Sequence, residues 1–281
     1  MFGRLRTYAR TLRLGAQAAV RSEAMLRQLL ELAWRENVAN LPQLKDPKRL
    51  LAAGFKVYSQ GHEDGMIAEV FRRIGVTSKR FLEFGVEDGL ECNSAFLLVE
   101  GWSGVWIEAS AISAQMARDA FQGYPIKVVN DAVTAANADA LIASLAGEGE
   151  LDMLSIDIDS NDYWVWQAIT TVRPRLVVIE YNASFPPHVR KTIARNDAMR
   201  RWNGSNYYGA ALGALTALGA AKGYSLVGCT LTGVNAFFVR DDLVGDHFHA
   251  PYTAENHYEP PRYALIGPSG HMAGMGPWVD V

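Results

Sequence analysis

The sequence has few cysteines, no long apolar run and no strong net charge, and each absence excludes a class of protein. Only two cysteines, Cys92 and Cys229, occur among 281 residues. That is too few for a disulfide framework, so we expect reduced thiols and a cytoplasmic protein. No apolar run approaches the ~20 residues that span a bilayer. The net charge of −3 gives no general reason to expect nucleic-acid binding.

The N-terminal residues form a basic segment of their own. Apolar residues such as Leu26 and Leu30 recur at helical spacing and predict a helix over residues 4–38, which the prolines that follow end. We therefore divide the chain into a basic helical segment, residues 1–52, and an α/β domain, residues 53–281. Arginines interrupt any apolar core of a secretory signal. They leave three alternatives open: peripheral contact with an anionic membrane, a solvated helix face, or a contact between copies in a homo-oligomer (Arg4, Arg6, Arg10, Arg13 and Arg21).

After residue 80, short apolar strands alternate with helices, which predicts a parallel sheet covered on both faces. A short loop separates the last two strands, and so small a gap cannot hold a crossover helix, so this pair is expected to be an antiparallel hairpin. The tail that follows is expected to be irregular. Strands are predicted at residues 81–84, 104–107, 126–129, 153–156, 176–179, 224–229 and 235–240, and helices at 64–74, 92–100, 113–121, 135–146, 163–171 and 208–222.

Polar side chains follow successive strands of this predicted sheet, where such folds bind ligands. Glu83 closes the first strand, and Gly85 and Gly89 would let the next loop turn tightly against a ligand. Glu108 ends the second strand, about 20 residues further on, where an acid commonly binds ribose hydroxyls. Asp131 follows the third strand and could accept a hydrogen bond from an adenine amino group. Each residue alone is explained by a turn or a helix cap, but together they indicate a nucleotide-type ligand.

Three motifs in this region resemble one known family. They are Glu-Phe-Gly-Val-Glu-Asp-Gly at residues 83–89, Gly-Trp-Ser-Gly-Val-Trp-Ile-Glu at 101–108, and an upstream Tyr-Ser-Gln followed by Glu-Asp-Gly. The family is the FkbM-like branch of the class I S-adenosylmethionine-dependent methyltransferases. The resemblance implies their Rossmann-like sheet, S-adenosylmethionine as cofactor and methyl transfer to a hydroxyl oxygen. Carried over by position, Glu83 and Gly85 would flank the methionine end of the cofactor, Glu108 the ribose and Asp131 the adenine.

The end of the fourth predicted strand is unusually acidic. Asp157, Asp159 and Asp162 lie within six residues, and Glu180 and Asn182 follow the next strand. Oxygen ligands of this kind suit a divalent ion such as Mg²⁺, for which Asp157, Glu180 and Asn182 are the candidate ligands. Alternatively, Asp159 and Asp162 only cap the helix that follows. Both alternatives stay open at the level of sequence.

Methyl transfer to a hydroxyl needs a base or a metal, because a hydroxyl is a poor nucleophile at neutral pH. Asp157 is the first candidate for a catalytic base. His188 is the second, since it follows two prolines in a loop expected to lie over the site. Aromatic residues nearby suit a sugar or ring substrate, or belong to the core (Trp164, Trp166, Tyr181, Phe185, Trp202, Tyr207 and Tyr208).

The sequence supports one leading hypothesis and two alternatives. The first is an O-methyltransferase that acts on a hydroxyl of a small metabolite or glycan. The second is a nicotinamide-dependent oxidoreductase, although the third glycine of its fingerprint is missing and the terminal hairpin is unexplained. The third is a non-catalytic binding or assembly protein of the same fold. Asp157→Ala separates the first from the third, because only an enzyme would lose turnover while keeping its fold.

Overall fold

The computed structural model describes residues 38–198, 202–263 and 278–281, and scattered residues between 18 and 32. These scattered residues are helical and exposed, whereas Arg4, Arg6, Arg10 and Arg13 lie outside the described part. The chain divides into two compact units, residues 1–46 and 47–281. Among the described residues, no helix is both long enough and apolar enough to cross a bilayer.

A seven-stranded sheet forms the centre of the larger unit, and its order is β3-β2-β1-β4-β5-β8-β7. Strands β1 to β5 run parallel, and β8 pairs antiparallel with both β5 and β7. The predicted mostly parallel sheet with an antiparallel terminal pair is therefore confirmed. The strands are β1 (Arg80–Phe84), β2 (Ser103–Glu108), β3 (Ile126–Asn130), β4 (Met153–Ile156), β5 (Leu176–Glu180), β7 (Tyr224–Cys229) and β8 (Asn235–Arg240).

Helices cover both faces of this sheet. Alternate residues of a strand point to opposite faces, so Val177 and Ile179 of β5 enter one apolar core while Leu176 and Val178 enter the other. Helices α4 to α6 pack in the first core, and α1 to α3 pack in the second. The helices are α1 (Glu63–Ile74), α2 (Ala95–Val99), α3 (Ala111–Ala120), α4 (Ala138–Leu145), α5 (Asp162–Ala168), α6 (Leu212–Lys222), α7 (Asp241–Val244) and α8 (Ala254–His257).

Helix α6 begins later than the residue 208 that the sequence pattern predicts. The preceding backbone is extended and pairs with a short strand, β6 (Lys191–Ile193), which the pattern also missed. The amide of Ile193 donates to the carbonyl of Gly209 at 3.1 Å, and that of Ala211 to the carbonyl of Lys191 at 2.8 Å. These bonds satisfy backbone groups that a longer helix would have used internally. Strand β6 also pairs with β9 (Trp278–Asp280), far along the chain.

Candidate active site

A cleft of about 1300 Å³ lies over the carboxyl ends of the parallel strands. The chain leaves β1 towards β2 on one side and returns as β4 on the other, so the cleft occupies the topological switch point where such sheets bind ligands. Of the residues predicted to bind cofactor, hold a metal or act as the base, six line it: Glu83, Gly85, Glu108, Asp131, Asp157 and Glu180. The fold therefore brings the strand ends together as the sequence predicted.

Glu83 is buried, and its carboxylate binds the protein itself. Its oxygens accept from the amides of Asn93 at 2.8 Å and Ser94 at 3.0 Å, from the hydroxyl of Ser155 at 3.1 Å and from that of Ser94. A carboxylate offers about four lone-pair positions, so these donors use them all. Burial raises the pKa of Glu83, against the effect of the donors. Glu83 thus joins β1 to the start of α2 and to β4.

The two glycines after β1 allow close backbone packing. Gly85 has a φ of 75°, and a Cβ there would lie 1.6 Å from the carbonyl oxygen of Asp157. Gly89 has a φ of 82°, and a Cβ there would lie 2.8 Å from the ring of Trp106. Gly89 is not among the residues that line the cleft. Its role in the structure is to let the loop pass over an aromatic ring, whereas Gly85 sets the loop against Asp157.

Glu108 has acceptor capacity to spare. It ends β2 and is 8% exposed, and its Oε2 accepts from the amide of Glu87 at 2.9 Å. Its Oε1 accepts from the amide of Ser110 at 2.6 Å. Two of about four lone-pair positions are therefore used, and the others remain for a ligand with hydroxyl donors. Glu87 holds a φ of 50°, a conformation that non-glycine residues rarely adopt outside functional loops.

Asp131 lies beside Glu108 at the rim of the cleft. Its amide donates to the carbonyl of Glu108 at 3.2 Å, and its exposed side chain accepts from the amide of Ala132 at 2.7 Å. The side chain of Asn130 donates to the carbonyls of Glu108 and Ala109. These bonds fix the backbone of Glu108 and Asp131 side by side at the rim of the cleft.

At the other half of the cleft, Asp157 and Glu180 line the wall and form a compact group of three carboxylates with the buried Asp162. One oxygen from each lies within 4.8 Å of the others. Burial, together with the neighbouring carboxylates, raises the pKa of Asp157 and of Glu180 well above the ordinary range. Burial also raises the pKa of Asp162 to about 7. Such mutual perturbation in a cleft is typical of functional groups.

Asp162 binds the loop before α5 and also joins this group. Its two oxygens accept from the amides of Ile158 at 2.9 Å and Ser160 at 3.0 Å. Helix α5 has no side-chain hydrogen bond at its N-cap residue, Asn161, so the helix-capping alternative is not observed. Asp159 lies in the same loop with a φ of 55°. The loop that follows β4 is thus held in a fixed position by hydrogen bonds from its backbone amides to Asp162.

Asn182 and His188 do not reach the cleft. The amide nitrogen of Asn182 donates to the carbonyls of Asn206 and Tyr208 at 2.8 and 3.1 Å, and its oxygen accepts from the amide of Ser184. Its polar atoms are occupied, and Asp162 stands with Asp157 and Glu180 in its place. His188 is exposed and is absent from the cleft lining, because its loop packs its backbone carbonyls against α6 at Gly213.

Asn235 is a cleft residue that the sequence reasoning missed. It begins β8, and its side-chain nitrogen donates to Oε1 of Glu63 at 3.1 Å. Its Oδ1 is buried and has no hydrogen-bond partner among the residues that the structure describes. Because β8 runs antiparallel to its neighbour, its first residue lies at the edge where the parallel strands end. A search for polar residues at the starts of antiparallel strands would have found it.

The cleft is strongly acidic. Its described lining contains nine acidic residues and no Lys, Arg or His. Such a field favours cationic or donor-rich ligands and disfavours anions. Of the aromatic candidates only Trp202 lines the cleft, together with Tyr263, while Trp166 and Tyr181 belong to the core. The acidic residues are Glu83, Glu87, Asp88, Glu91, Glu108, Asp131, Asp157, Asp159 and Glu180.

No protein-family model and no curated protein matches this sequence. The solved structures that it resembles include methyltransferases. A proposed O-methyltransferase from Klebsiella pneumoniae is 19% identical, with 77% of this chain and 99% of that one covered and a TM-score of 0.43. Magnesium protoporphyrin IX methyltransferase from Synechocystis PCC 6803, with bound S-adenosylmethionine, is 12% identical, with 64% of this chain and 79% of that one covered and a TM-score of 0.42. An amino pentose methyltransferase from Micromonospora echinaspora is 13% identical, with 66% of this chain and 92% of that one covered and a TM-score of 0.42. At such TM-scores the likeness carries no conclusion about ligand or reaction.

Proposed function

We propose that the chain is an S-adenosylmethionine-dependent methyltransferase of the FkbM-like branch that acts on a hydroxyl of a small metabolite or glycan. The observation that carries the proposal is Glu108. Its carboxylate ends β2, lines the cleft and keeps about two acceptor positions unused. A ribose diol offers two matching donors. The resemblance of residues 81–108 to the FkbM-like motifs assigns the same role to this residue.

The charge of the cleft fits this cofactor. S-Adenosylmethionine contains a sulfonium and an ammonium group, and the described lining offers acidic residues and no basic ones. Glu108 would hold the ribose, Asp131 the adenine amino group, and the loop at Gly85 would lie along the methionine end. Glu83 would contribute charge without a direct bond. When bound, the cofactor supplies a methyl group on a sulfonium sulfur, which a nucleophilic oxygen can take.

Asp157 would be the base that takes the hydroxyl proton. It lies in the cleft next to the loop at Gly85, and burial and the neighbouring carboxylates raise its pKa. A carboxylate is a better general base when its pKa approaches the working pH. His188 has no such role in the proposal, because it lies outside the cleft. Magnesium is a separate proposal, since cofactor binding does not require it.

Titration calorimetry with S-adenosylhomocysteine tests the cofactor assignment. We expect micromolar binding to the full chain and, with Glu108→Ala, affinity weaker by about tenfold or more, the loss of one or two hydrogen bonds. Asp119→Asn, on the exposed side of α3, is the matched control and should bind as the parent does. NAD is the comparison ligand. Tight NAD binding with no S-adenosylhomocysteine binding would replace the proposal by an oxidoreductase.

Two proposals concern the location of the protein. We propose that it is cytoplasmic, in line with the buried free thiols of Cys92 and Cys229.

We also propose that residues 1–22 make peripheral contact with a membrane or join copies of the chain. Exposed apolar residues nearby support a contact surface: Met25, Leu26, Leu29 and Leu32. Deletion of residues 1–22 should abolish binding to anionic liposomes. Unchanged liposome binding, or an unchanged mass in solution, would rule out the corresponding role.

A further inference from the structure

We propose that Asp157, Asp162 and Glu180 form a binding site for a divalent cation at the half of the cleft where β4 and β5 end. Cation binding needs no cofactor and stands independently, whereas its use in positioning an acceptor hydroxyl rests on the proposed function. One oxygen from each residue lies within 4.8 Å of the others. A single cation with oxygen ligands at about 2.0 to 2.6 Å holds them at most about 4 to 5 Å apart. The three oxygens are therefore close enough for one ion.

Two buried oxygens, one within this group and one on the neighbouring strand, have no hydrogen-bond donor among the described residues. They are Oε2 of Glu180 and Oδ1 of Asn235. The side chains are 6% and 3% exposed, and both residues line the cleft. Buried acceptors are almost always satisfied, so these two indicate a ligand that supplies positive charge or protons. Asn235 is not an acid, which makes it an observation independent of the three carboxylates.

The pairing of β5 with β8 places these acceptors together. Glu180 and Asn235 are directly opposite each other in the register of the two strands. Side chains opposite each other in an antiparallel pair lie on the same face, with Cβ atoms about 4.5 to 5.5 Å apart. Asn235 is held in turn by Glu63, whose Oε1 accepts from its amide nitrogen. Its Oδ1 would thus be available as a fourth, neutral oxygen ligand.

The type of cation follows from the ligands. Carboxylate and amide oxygens suit Mg²⁺, Mn²⁺ and Ca²⁺, whereas zinc sites usually include His or Cys, and neither is in this group. The amides of Ile158 and Ser160 donate to the oxygens of Asp162 and orient its side chain. Metal ligands are commonly oriented by such outer hydrogen-bond partners. No basic side chain among the described lining residues competes for the carboxylates. Proton sharing is the other way to relieve their repulsion, and the experiment separates the two.

On the proposed function, the cation would bind an acceptor hydroxyl beside Asp157. A bound divalent ion lowers the pKa of an oxygen that it holds, and two adjacent hydroxyls of a sugar or catechol-like ring would bind it best. Asp157 would then both bind the cation and accept the proton of the hydroxyl. Only acceptors whose hydroxyl reaches the cation would react.

Mn²⁺ binding to the full chain, followed by electron paramagnetic resonance without any cofactor, tests the site. We expect one saturable site that Mg²⁺ or Ca²⁺ displaces and K⁺ does not. Glu180→Gln, which keeps the size of the side chain, should weaken Mn²⁺ binding by about tenfold or more, and Asp157→Asn should do likewise. Glu91→Gln is the matched control, because it removes one charge from the same cleft outside the three carboxylates.

Each result decides the proposal. Binding that Glu180→Gln weakens and Glu91→Gln leaves intact supports it. Absence of saturable binding, or equal loss in both variants, overturns it in favour of proton sharing or of unspecific attraction to the acidic cleft. Circular dichroism of each variant shows that the fold is kept. S-Adenosylhomocysteine binding in the same samples separates the two proposals, since its presence without Mn²⁺ binding overturns the cation site alone.

Discussion

Glu180 and Asn235 lie opposite each other across β5 and β8, and each has a buried oxygen with no donor in the described part of the chain. Because β8 runs antiparallel to β5, its first residue places an amide oxygen at the edge of the sheet where the parallel strands end. A buried acceptor without a donor costs about 1 to 3 kcal/mol. Two of them in one cleft indicate that this part of the molecule is arranged for a ligand.

The stability of the metal-free protein should fall as the pH rises from about 5.5 to 8. The folded-state pKa of Asp162 is about 7, and those of Asp157 and Glu180 are raised well above their ordinary values. The native state therefore holds protons that the unfolded chain has already released above about pH 4. Each such proton costs about 1.4 kcal/mol per pH unit within that window. Urea unfolding in EDTA at several pH values measures the trend.

Two variants check the origin of this trend. Glu180→Gln removes a carboxylate from the group and should flatten the decline. Asp139→Asn is the control, because hydrogen bonds from Thr170 and Thr171 lower the pKa of Asp139 to about 2, so its contribution is constant over this pH range. A stability that rises with pH in the parent protein would contradict the raised pKa values.

Gly85→Ala should destabilise the protein more than Gly101→Ala. Both glycines have a positive φ, of 75° and 79°, so the conformational cost of a side chain is about 1 to 2 kcal/mol at each. A Cβ at Gly85 would also overlap the carbonyl of Asp157, whereas one at Gly101 meets nothing within 4 Å. Thermal unfolding of both variants measures the difference. Equal losses would mean that the contact with Asp157 has no importance.

Replacement of Glu83 should mainly reduce stability. Glu83→Ala leaves the amides of Asn93 and Ser94 buried without their acceptor, and we expect a loss of about 3 to 5 kcal/mol. Glu83→Gln keeps part of the hydrogen bonding and should lose less. Urea unfolding measures both, and calorimetry measures S-adenosylhomocysteine affinity in the variant that folds. A stable Glu83→Ala protein with lost affinity would instead assign Glu83 to direct ligand contact.

Asp131 should read the adenine amino group. We expect Asp131→Ala to weaken S-adenosylhomocysteine binding by about five- to tenfold, the loss of one hydrogen bond of about 1 kcal/mol to a charged acceptor. The inosine analogue has no amino group, so its affinity should not change in this variant. Calorimetry with both ligands measures the comparison. Equal weakening of the two would assign Asp131 to a general structural or electrostatic role.

Much of the fold follows from local sequence pattern. Five short apolar runs separated by helices specify parallel strands, and the small gap before residue 235 requires a hairpin, since no helix fits there. The bounds of β4, β7 and β8 agree with the pattern because apolar runs flanked by polar residues define them. Helix α6 begins at Leu212 and not at the predicted residue 208. The residues before it bond to β6, a partner that no local pattern reveals.

The sequence by itself determined which acids would meet, because parallel strands bring their carboxyl ends to one edge whatever the details. Tertiary structure decided what each acid can do. It gave the carboxylate of Glu83 to buried donors, left Glu108 with acceptor positions unused, and tied Asn182 into a loop while Asp162 joined Asp157 and Glu180. Hydrogen-bond saturation and burial depend on residues distant in the chain. They set the chemistry of a carboxylate, and only the folded backbone brings those residues together.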